Sequence, residues 1–116
     1  MRPLLAVIAG ALVGTALRWG IDTLIGTPLS TLLINIVGSF ALGVLVARVW
    51  PTASPTLRAG LGPGLLGSFT TFSAVAVALV AFAEAGEWMP AVAYLAATLV
   101  GGLFAAFAGL RVGRRA

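Results

Sequence analysis

The sequence predicts an all-α membrane protein with four transmembrane helices and a break in the third. Hydrophobic residues make up 60% of the 116 residues and charged residues only 9%, an excess that an ordinary soluble domain of this size cannot bury in its core. The apolar residues form four runs of about 20 residues, the length that crosses a bilayer. Short separators with glycine, proline or charge lie between them. We therefore expect one domain over residues 1–116.

The first predicted span runs from Leu4 to Leu24. Gly10, Gly14 and Arg18 recur every four residues and share one helix face. A signal peptide would also begin with a cation and an apolar run, but no small-residue cleavage site followed by a soluble domain is visible. We interpret this run as a transmembrane helix.

The second predicted span runs from Leu29 to Val49, after a separator of Gly26, Thr27 and Pro28. Its polar residues again share one face, because they are four residues apart: Thr31, Asn35 and Ser39. Trp50 follows at the position of an interfacial anchor.

The third predicted span runs from Leu57 to Ala83 and contains GSFTTFS, residues 67–73, near its midpoint. Glycine and proline crowd the approach to this segment and weaken the helical hydrogen bonds there: Gly60, Gly62, Pro63, Gly64 and Gly67. A break at membrane depth requires protein contacts or a polar cavity. Such breaks are common at the binding sites of small transporters and channels.

The fourth predicted span runs from Met89 to Leu110, after the separator that contains Glu84, Gly86 and Glu87 and the anchor Trp88. Tyr94, Thr98 and Gly102 repeat the four-residue spacing. All four spans therefore contribute polar or small residues to a polar interior.

Charge predicts the orientation. Four spans place both termini and the loop between spans two and three on one side, which collects six of the seven cations: Arg2, Arg48, Arg58, Arg111, Arg114 and Arg115. The other side has Arg18, Asp22, Glu84 and Glu87. The positive-inside rule predicts that the basic side faces the cytoplasm. We expect the chain to lie in the cell's inner (plasma) membrane. The sequence pI near 11.6 therefore reflects topology rather than nucleic-acid binding.

Composition excludes several kinds of chemistry. With no cysteine and no histidine, disulfides, thiolate metal sites and the usual neutral-pH base are absent. No nucleophile, base and orienting group converge, so we expect no enzymatic activity. A drug-exporting transporter with four spans would carry a glutamate inside its first helix, where this chain has only Asp22 at the end.

The interior predicts passage of an anion. Mid-span residues offer neutral donors and the positive edges of two phenylalanine rings, without a titratable group for proton coupling: Asn35, Ser39, Phe69, Thr70, Thr71, Phe72, Ser73 and Thr98. An alternative remains open: membrane hydroxyls often donate to the i−4 carbonyl, small residues promote helix packing, and Asn35 could join helices.

These residues resemble the Fluc or CrcB family of fluoride channels. The resemblance lies in GALVGTALRW (10–19), TLLINIVGSFALG (31–43) and GLLGSFTTFS (64–73), with Tyr94, Thr98 and Gly102 following in order. It implies a passive channel that exports fluoride and reduces its toxicity. It also implies an antiparallel dimer in membrane lipid, with two pathways along the interface and a structural sodium ion at the centre.

The resemblance assigns roles to particular residues. Asn35 is similar to the pore asparagine that binds the anion and orients a phenylalanine, and Phe72 to the first phenylalanine of the pore pair. Ser73, Tyr94 and Thr98 are similar to hydroxyl positions along the anion track, and Arg18 to an arginine near a vestibule. The carbonyls of Gly67 and Thr70 would face the sodium ion.

Two positions depart from the family pattern. Val75 stands where the second pore phenylalanine is expected, and Ala78 where relatives can carry glutamate. The charge bias also favours one orientation of the chain. The missing second phenylalanine and the charge bias together suggest a heterodimer with a paralogous subunit of opposite orientation. A homodimer that tolerates Val75 is the alternative. A non-conducting structural partner subunit is the alternative function.

Overall fold

The computed structural model describes residues 1–115 as four helical spans and no strand. The spans are Arg2–Ile25, Leu29–Val49, Pro55–Glu84 and Trp88–Arg115, and each is long and apolar enough to cross a membrane. The predicted all-α membrane fold with four spans is confirmed.

Two of the four spans are continuous helices and two change character along their length. The first span is helix α1, Arg2–Ile25, and the second is α2, Leu29–Val44, which continues as a π-helical turn, Leu45–Val49. The third span consists of α3, Pro55–Ala59, a π-helical segment, Gly60–Leu66, the short α4, Gly67–Phe69, and α5, Ser73–Glu84. The fourth span is α6, Trp88–Arg115.

The third span is broken between α4 and α5. Thr70 has an extended backbone, with φ −83° and ψ 155°, and regular helix resumes only at Ser73. Pro63 lies inside the π-helical segment upstream, where a proline has no N–H for the helical ladder. The break lies within GSFTTFS, where the sequence predicts it.

The helices pack as two close pairs, α1 with the first half of the third span and α2 with α6. A Cβ atom at Gly10 would collide with the carbonyl oxygen of Gly60, and one at Gly43 with that of Ala106. Backbones this close require residues without side chains. The glycine part of the stripe on α1 therefore serves helix packing and does not face a polar interior.

The connection between α1 and α2 is fixed to its surroundings by side-chain hydrogen bonds. The Ser30 hydroxyl donates to the Asp22 carboxylate at 2.6 Å, and the Tyr94 hydroxyl of α6 donates to the Pro28 carbonyl at 2.9 Å. The ring of Tyr94 also packs against Phe82 of α5, with 5.8 Å between ring centroids. These contacts hold the end of the bundle that lies beyond the break.

Candidate functional site

The break in the third span is held by the side chain of Asn35. Its Nδ2 donates to the carbonyl oxygen of Thr71, and its Oδ1 accepts from the Thr71 N–H, both at 2.9 Å. The amide thus replaces the two backbone partners that Thr71 would have in a continuous helix. Because a carboxamide has two N–H donors, one donor of Asn35 remains after this pairing.

Backbone carbonyls are released on the α4 side of the break. The Gly67 carbonyl loses its helical donor because the Thr71 N–H bonds to Asn35. The Thr70 carbonyl loses its donor because the Ala74 N–H bonds to the Thr71 hydroxyl at 3.3 Å. Released carbonyls at the end of a half-helix are oxygen ligands for a cation.

Backbone amides are released on the α5 side. The first helical bond of α5 runs from the Ala76 N–H to the Phe72 carbonyl, at 3.0 Å, so the N–H groups of Phe72, Ser73 and Val75 have no helical partner. The partial positive charge of a helix N-terminus adds to these donors. The Ser73 hydroxyl is also close, 3.0 Å from that of Thr71. One break therefore presents acceptors on one side and donors on the other.

A cavity of about 620 Å³ borders the break, between α2 and the third span. Its lining contains no charged residue: Asn35, Gly38, Ser39, Leu42, Trp50, Gly62, Pro63, Leu66, Gly67, Thr70, Thr71, Phe72 and Thr98. Asn35 and Trp50 are 15 positions apart, about 22 Å along a helix at 1.5 Å per residue. The cavity therefore runs from the break towards the end of the second span.

The structure places the predicted site residues in different surroundings. Those that line the cavity beside the break are Asn35, Gly67, Thr70, Phe72 and Thr98. Ser73 is exposed next to them. Tyr94 and Arg18 do not line this cavity.

Three of the polar residues use their hydroxyls within the chain. The Thr98 hydroxyl donates to the Tyr94 carbonyl at 2.8 Å, and the Thr70 hydroxyl to the Leu66 carbonyl at 2.9 Å. Both are i−4 bonds, the alternative interpretation of membrane hydroxyls given above. The Tyr94 hydroxyl is bonded to Pro28. In this arrangement the donors near the break that are not used within the chain come from Asn35, from Ser39 in the cavity wall and from the start of α5.

The phenylalanine positions differ sharply in exposure. The side chain of Phe72 is 62% exposed, whereas Val75 is 0% exposed and Phe69 is buried. Position 75 therefore lies inside this chain's own packing, and only Phe72 is available to a partner or an ion.

The cavity lining also contains residues to which the sequence assigns no site role: Gly38, Leu42, Trp50, Gly62, Pro63 and Leu66. Trp50 was interpreted only as an interfacial anchor, and Gly62 and Pro63 only as helix breakers. A signal did exist on the second span, because Leu42 continues the face of Asn35 and Ser39 at helical spacing. Spacing does not predict which residues of the third span lie opposite that face.

A second cavity of about 550 Å³ lies beyond the break. Its walls come from the connection between α1 and α2, from α5 and from the residue before α6, and they include Pro28, Ala74, Ala78 and Glu87. Cavities therefore flank the break on both sides along the third span.

Comparison with known proteins gives consistent matches over nearly the whole chain. The family described as "CrcB-like protein, Camphor Resistance (CrcB)" matches residues 5–110. The chain is 37% identical to the fluoride-specific ion channel FluC of Chloroflexus aurantiacus, with 98% of this chain and 97% of that protein covered. It is 43% identical to the FluC of Rhodospirillum centenum, with 96% and 97% covered. It is 40% identical to that of Paracoccus denitrificans, with 95% and 93% covered.

Proposed function

The chain belongs to the CrcB-like protein family, and from this premise we propose that it is a subunit of a passive, fluoride-selective ion channel. In the cell this channel exports fluoride from the cytoplasm and so reduces its toxicity. The protein is a multi-pass membrane protein whose relatives carry the name fluoride-specific ion channel.

The observation that carries the proposal is the third-span break held by Asn35. It brings the remaining Asn35 donor and the released amides of Phe72 and Ser73 together beside a cavity with an uncharged lining. Neutral donors in series replace the water of a small, strongly hydrated anion without holding it too tightly to leave. No titratable group lines the cavity, so the site couples transport to no proton and passage is passive.

The remaining predicted residues take supporting roles along the pathway. The exposed ring of Phe72 offers its positive edge to the anion, and the Ser73 hydroxyl adds a donor at the start of α5. Thr98 and Tyr94 serve once their hydroxyls turn from the carbonyls to which they donate. Arg18 attracts anions to the mouth on the side opposite the basic face.

The released carbonyls of Gly67 and Thr70 support a central sodium site in an antiparallel dimer. No three side chains of His, Cys, Asp or Glu cluster within residues 1–115, so a cation here depends on backbone oxygen. This chain would offer the Gly67 and Thr70 carbonyls, and an antiparallel partner with the same break would add its own pair. A sodium ion bound there would offset the partial negative charge of the released carbonyls and so stabilise the pairing of the two broken helices.

The charge distribution supports a fixed orientation in the plasma membrane. Six of the seven arginines lie on the side of both termini, which the positive-inside rule makes cytoplasmic. A chain that inserts one way needs a partner that inserts the other way. We therefore propose a paralogous partner subunit, with a homodimer as the competing arrangement.

Fluoride efflux from liposomes tests the function. We expect efflux from vesicles that contain this chain with a paralogue from the same genome, recorded with a fluoride electrode. Efflux from the chain alone would support a homodimer and reject the obligate heterodimer. No efflux from either preparation, with the co-expressed dimer shown to be assembled and folded, would reject the channel.

Replacing sodium by potassium throughout should lower the melting temperature of the dimer, and an unchanged temperature would contradict the sodium site.

Substitution at position 75 tests whether the missing phenylalanine could be restored. Because Val75 is completely buried, we expect Val75→Phe to destabilise the chain by about 1–3 kcal/mol through overpacking and to give no increase in efflux. Val77→Phe is the matched control, since Val77 is on the same helix and exposed. Higher efflux from Val75→Phe with an unchanged melting temperature would show that position 75 faces the pathway.

A further inference from the structure

The cavity is bordered by one tryptophan at the end farthest from the break. Building on the proposed channel function, we propose that the indole of Trp50 forms a neck that limits which solutes pass from this end of the cavity to the break.

The backbone of Trp50 is fixed on both sides. Its N–H donates to the Leu45 carbonyl at 2.8 Å and closes the π-helical turn. Its carbonyl accepts a hydrogen bond from the guanidinium of Arg58, on the other side of the loop. These two hydrogen bonds fix the backbone from which the indole projects, even though Trp50 lies at the end of a span.

The ring of Trp50 reaches across to the third span. A Cβ atom at Gly62 would lie 3.2 Å from Cζ2 and 3.6 Å from Cη2 of the indole, so the ring lies almost against the backbone there. Trp50 and Gly62 both line the cavity. The indole therefore bridges the second and third spans at the cavity's end.

The other two tryptophans provide a contrast within the same chain. Trp19 is 71% exposed and Trp88 is 66% exposed, as expected of anchors in the membrane interface. Neither lines the cavity beside the break. Trp50 alone among the three combines an interfacial position with a place in the cavity wall.

An indole in this place discriminates by size. Its rigid ring narrows the passage between the second and third spans. A small anion passes the neck and reaches the donors at the break, whereas larger solutes are slowed. Trp50 thus controls access from this end of the cavity, because an ion that enters there contacts the indole before it reaches the break.

Cysteine labelling tests the neck independently of fluoride transport. The chain has no cysteine, so Ser39→Cys places a single thiol in the cavity wall, between Trp50 and Asn35. The protein is reconstituted in vesicles, and the rate of modification of this thiol is measured with a small and with a large methanethiosulfonate reagent. Both reagents are membrane-impermeant and are added on the side of the membrane where the 50–54 loop lies. The backgrounds are unsubstituted, Trp50→Ala and, as matched control, Trp88→Ala.

We expect Trp50→Ala to raise the labelling rate for the large reagent by about tenfold, a barrier lowered by ~1.4 kcal/mol. The small reagent should gain less, and Trp88→Ala should leave both rates unchanged. Equal rates in the Trp50 and Trp50→Ala backgrounds would overturn the neck. Equal gains from Trp50→Ala and Trp88→Ala would also overturn it, because a general loosening of the fold would then explain the effect.

Gly62→Ala supplies a second variant with the tryptophan intact. The added Cβ would lie 3.2 Å from Cζ2 of the indole, so the ring must shift slightly. The labelling rate should therefore change when Trp50 is present and stay constant in the Trp50→Ala background. Additive effects in this double-mutant cycle would contradict a contact between the two residues. Efflux of fluoride is recorded from the same proteins. These efflux measurements use vesicles that also contain the paralogous subunit. Labelling that depends on Trp50 without any fluoride efflux would reject the channel and leave the neck, whereas efflux with labelling independent of Trp50 would do the reverse.

Discussion

Asn35→Asp is expected to lower fluoride efflux by about 100-fold or more. Aspartate keeps an oxygen for the Thr71 N–H but removes the N–H that donates to the Thr71 carbonyl. It also removes the second N–H, which we propose donates to the anion. A hydrogen bond to a charged group is worth about 1.5–3 kcal/mol, and each 1.36 kcal/mol is a factor of ten in rate. An ionised carboxylate at this position also repels the anion. The measurement is efflux from liposomes at matched protein content.

Controls separate loss of the ion contact from loss of the fold. Leu33→Ala removes an exposed side chain from the same helix, two positions away, and should keep full efflux. Asn35→Ala leaves both the N–H and the C=O of Thr71 unpaired, at about 1–3 kcal/mol for each buried group, and should lower the melting temperature more than Asn35→Asp does. Efflux from Asn35→Asp equal to that of the unsubstituted protein would contradict a role for Asn35 in the pathway.

A matched pair of glycine substitutions should have opposite effects on stability. In Gly43→Ala the new methyl group collides with the Ala106 carbonyl oxygen and comes within 2.8 Å of the Leu110 nitrogen, so α2 and α6 must separate. Overpacking of this kind costs about 1–3 kcal/mol. In Gly20→Ala, inside α1, nothing lies within 4 Å of the new atom, and the helix gains about 0.5–1 kcal/mol. Thermal unfolding in detergent, followed by size-exclusion chromatography, measures both.

The sign of this difference is the decisive result. A Gly43→Ala protein as stable as the Gly20→Ala protein would show that α2 and α6 do not approach at Gly43. Efflux should follow stability for Gly43→Ala, because a shift of α2 changes the position of Asn35 relative to the break. Gly20→Ala should leave efflux unchanged.

Much of the fold was predictable because its signals are local. Apolar runs of bilayer length and the separators at Gly26 and Gly86 mark the spans, since a lipid-exposed backbone must satisfy its hydrogen bonds within the helix. Pro63 and its neighbouring glycines predict the break. Proline has no N–H for the hydrogen bonds of the helix, whatever the tertiary contacts of the chain. Asn35 could be singled out because an amide inside the membrane needs hydrogen-bond partners for both its donors and its acceptor.

The assignment of partners to each polar residue was less predictable. Spacing predicts that Tyr94 and Thr98 share a face, but it does not say that their hydroxyls donate to carbonyls of the chain. Spacing also places Val75 three residues after Phe72, yet one side chain is buried and the other exposed. The difference arises because Phe72 belongs to the break and not to a regular turn of α5.

By itself, the sequence determined that this chain crosses the membrane four times, that the third crossing is interrupted, and that polar side chains without a titratable group lie near that interruption. It also determined the family, through motifs that extend along the chain. Only the tertiary structure decided that Gly10 and Gly14 serve packing, that Asn35 pairs with Thr71, and that Trp50 meets Gly62 at the end of the cavity. The physical reason is that helical periodicity fixes which residues share a face, whereas the partner of that face depends on contacts between residues far apart in the chain.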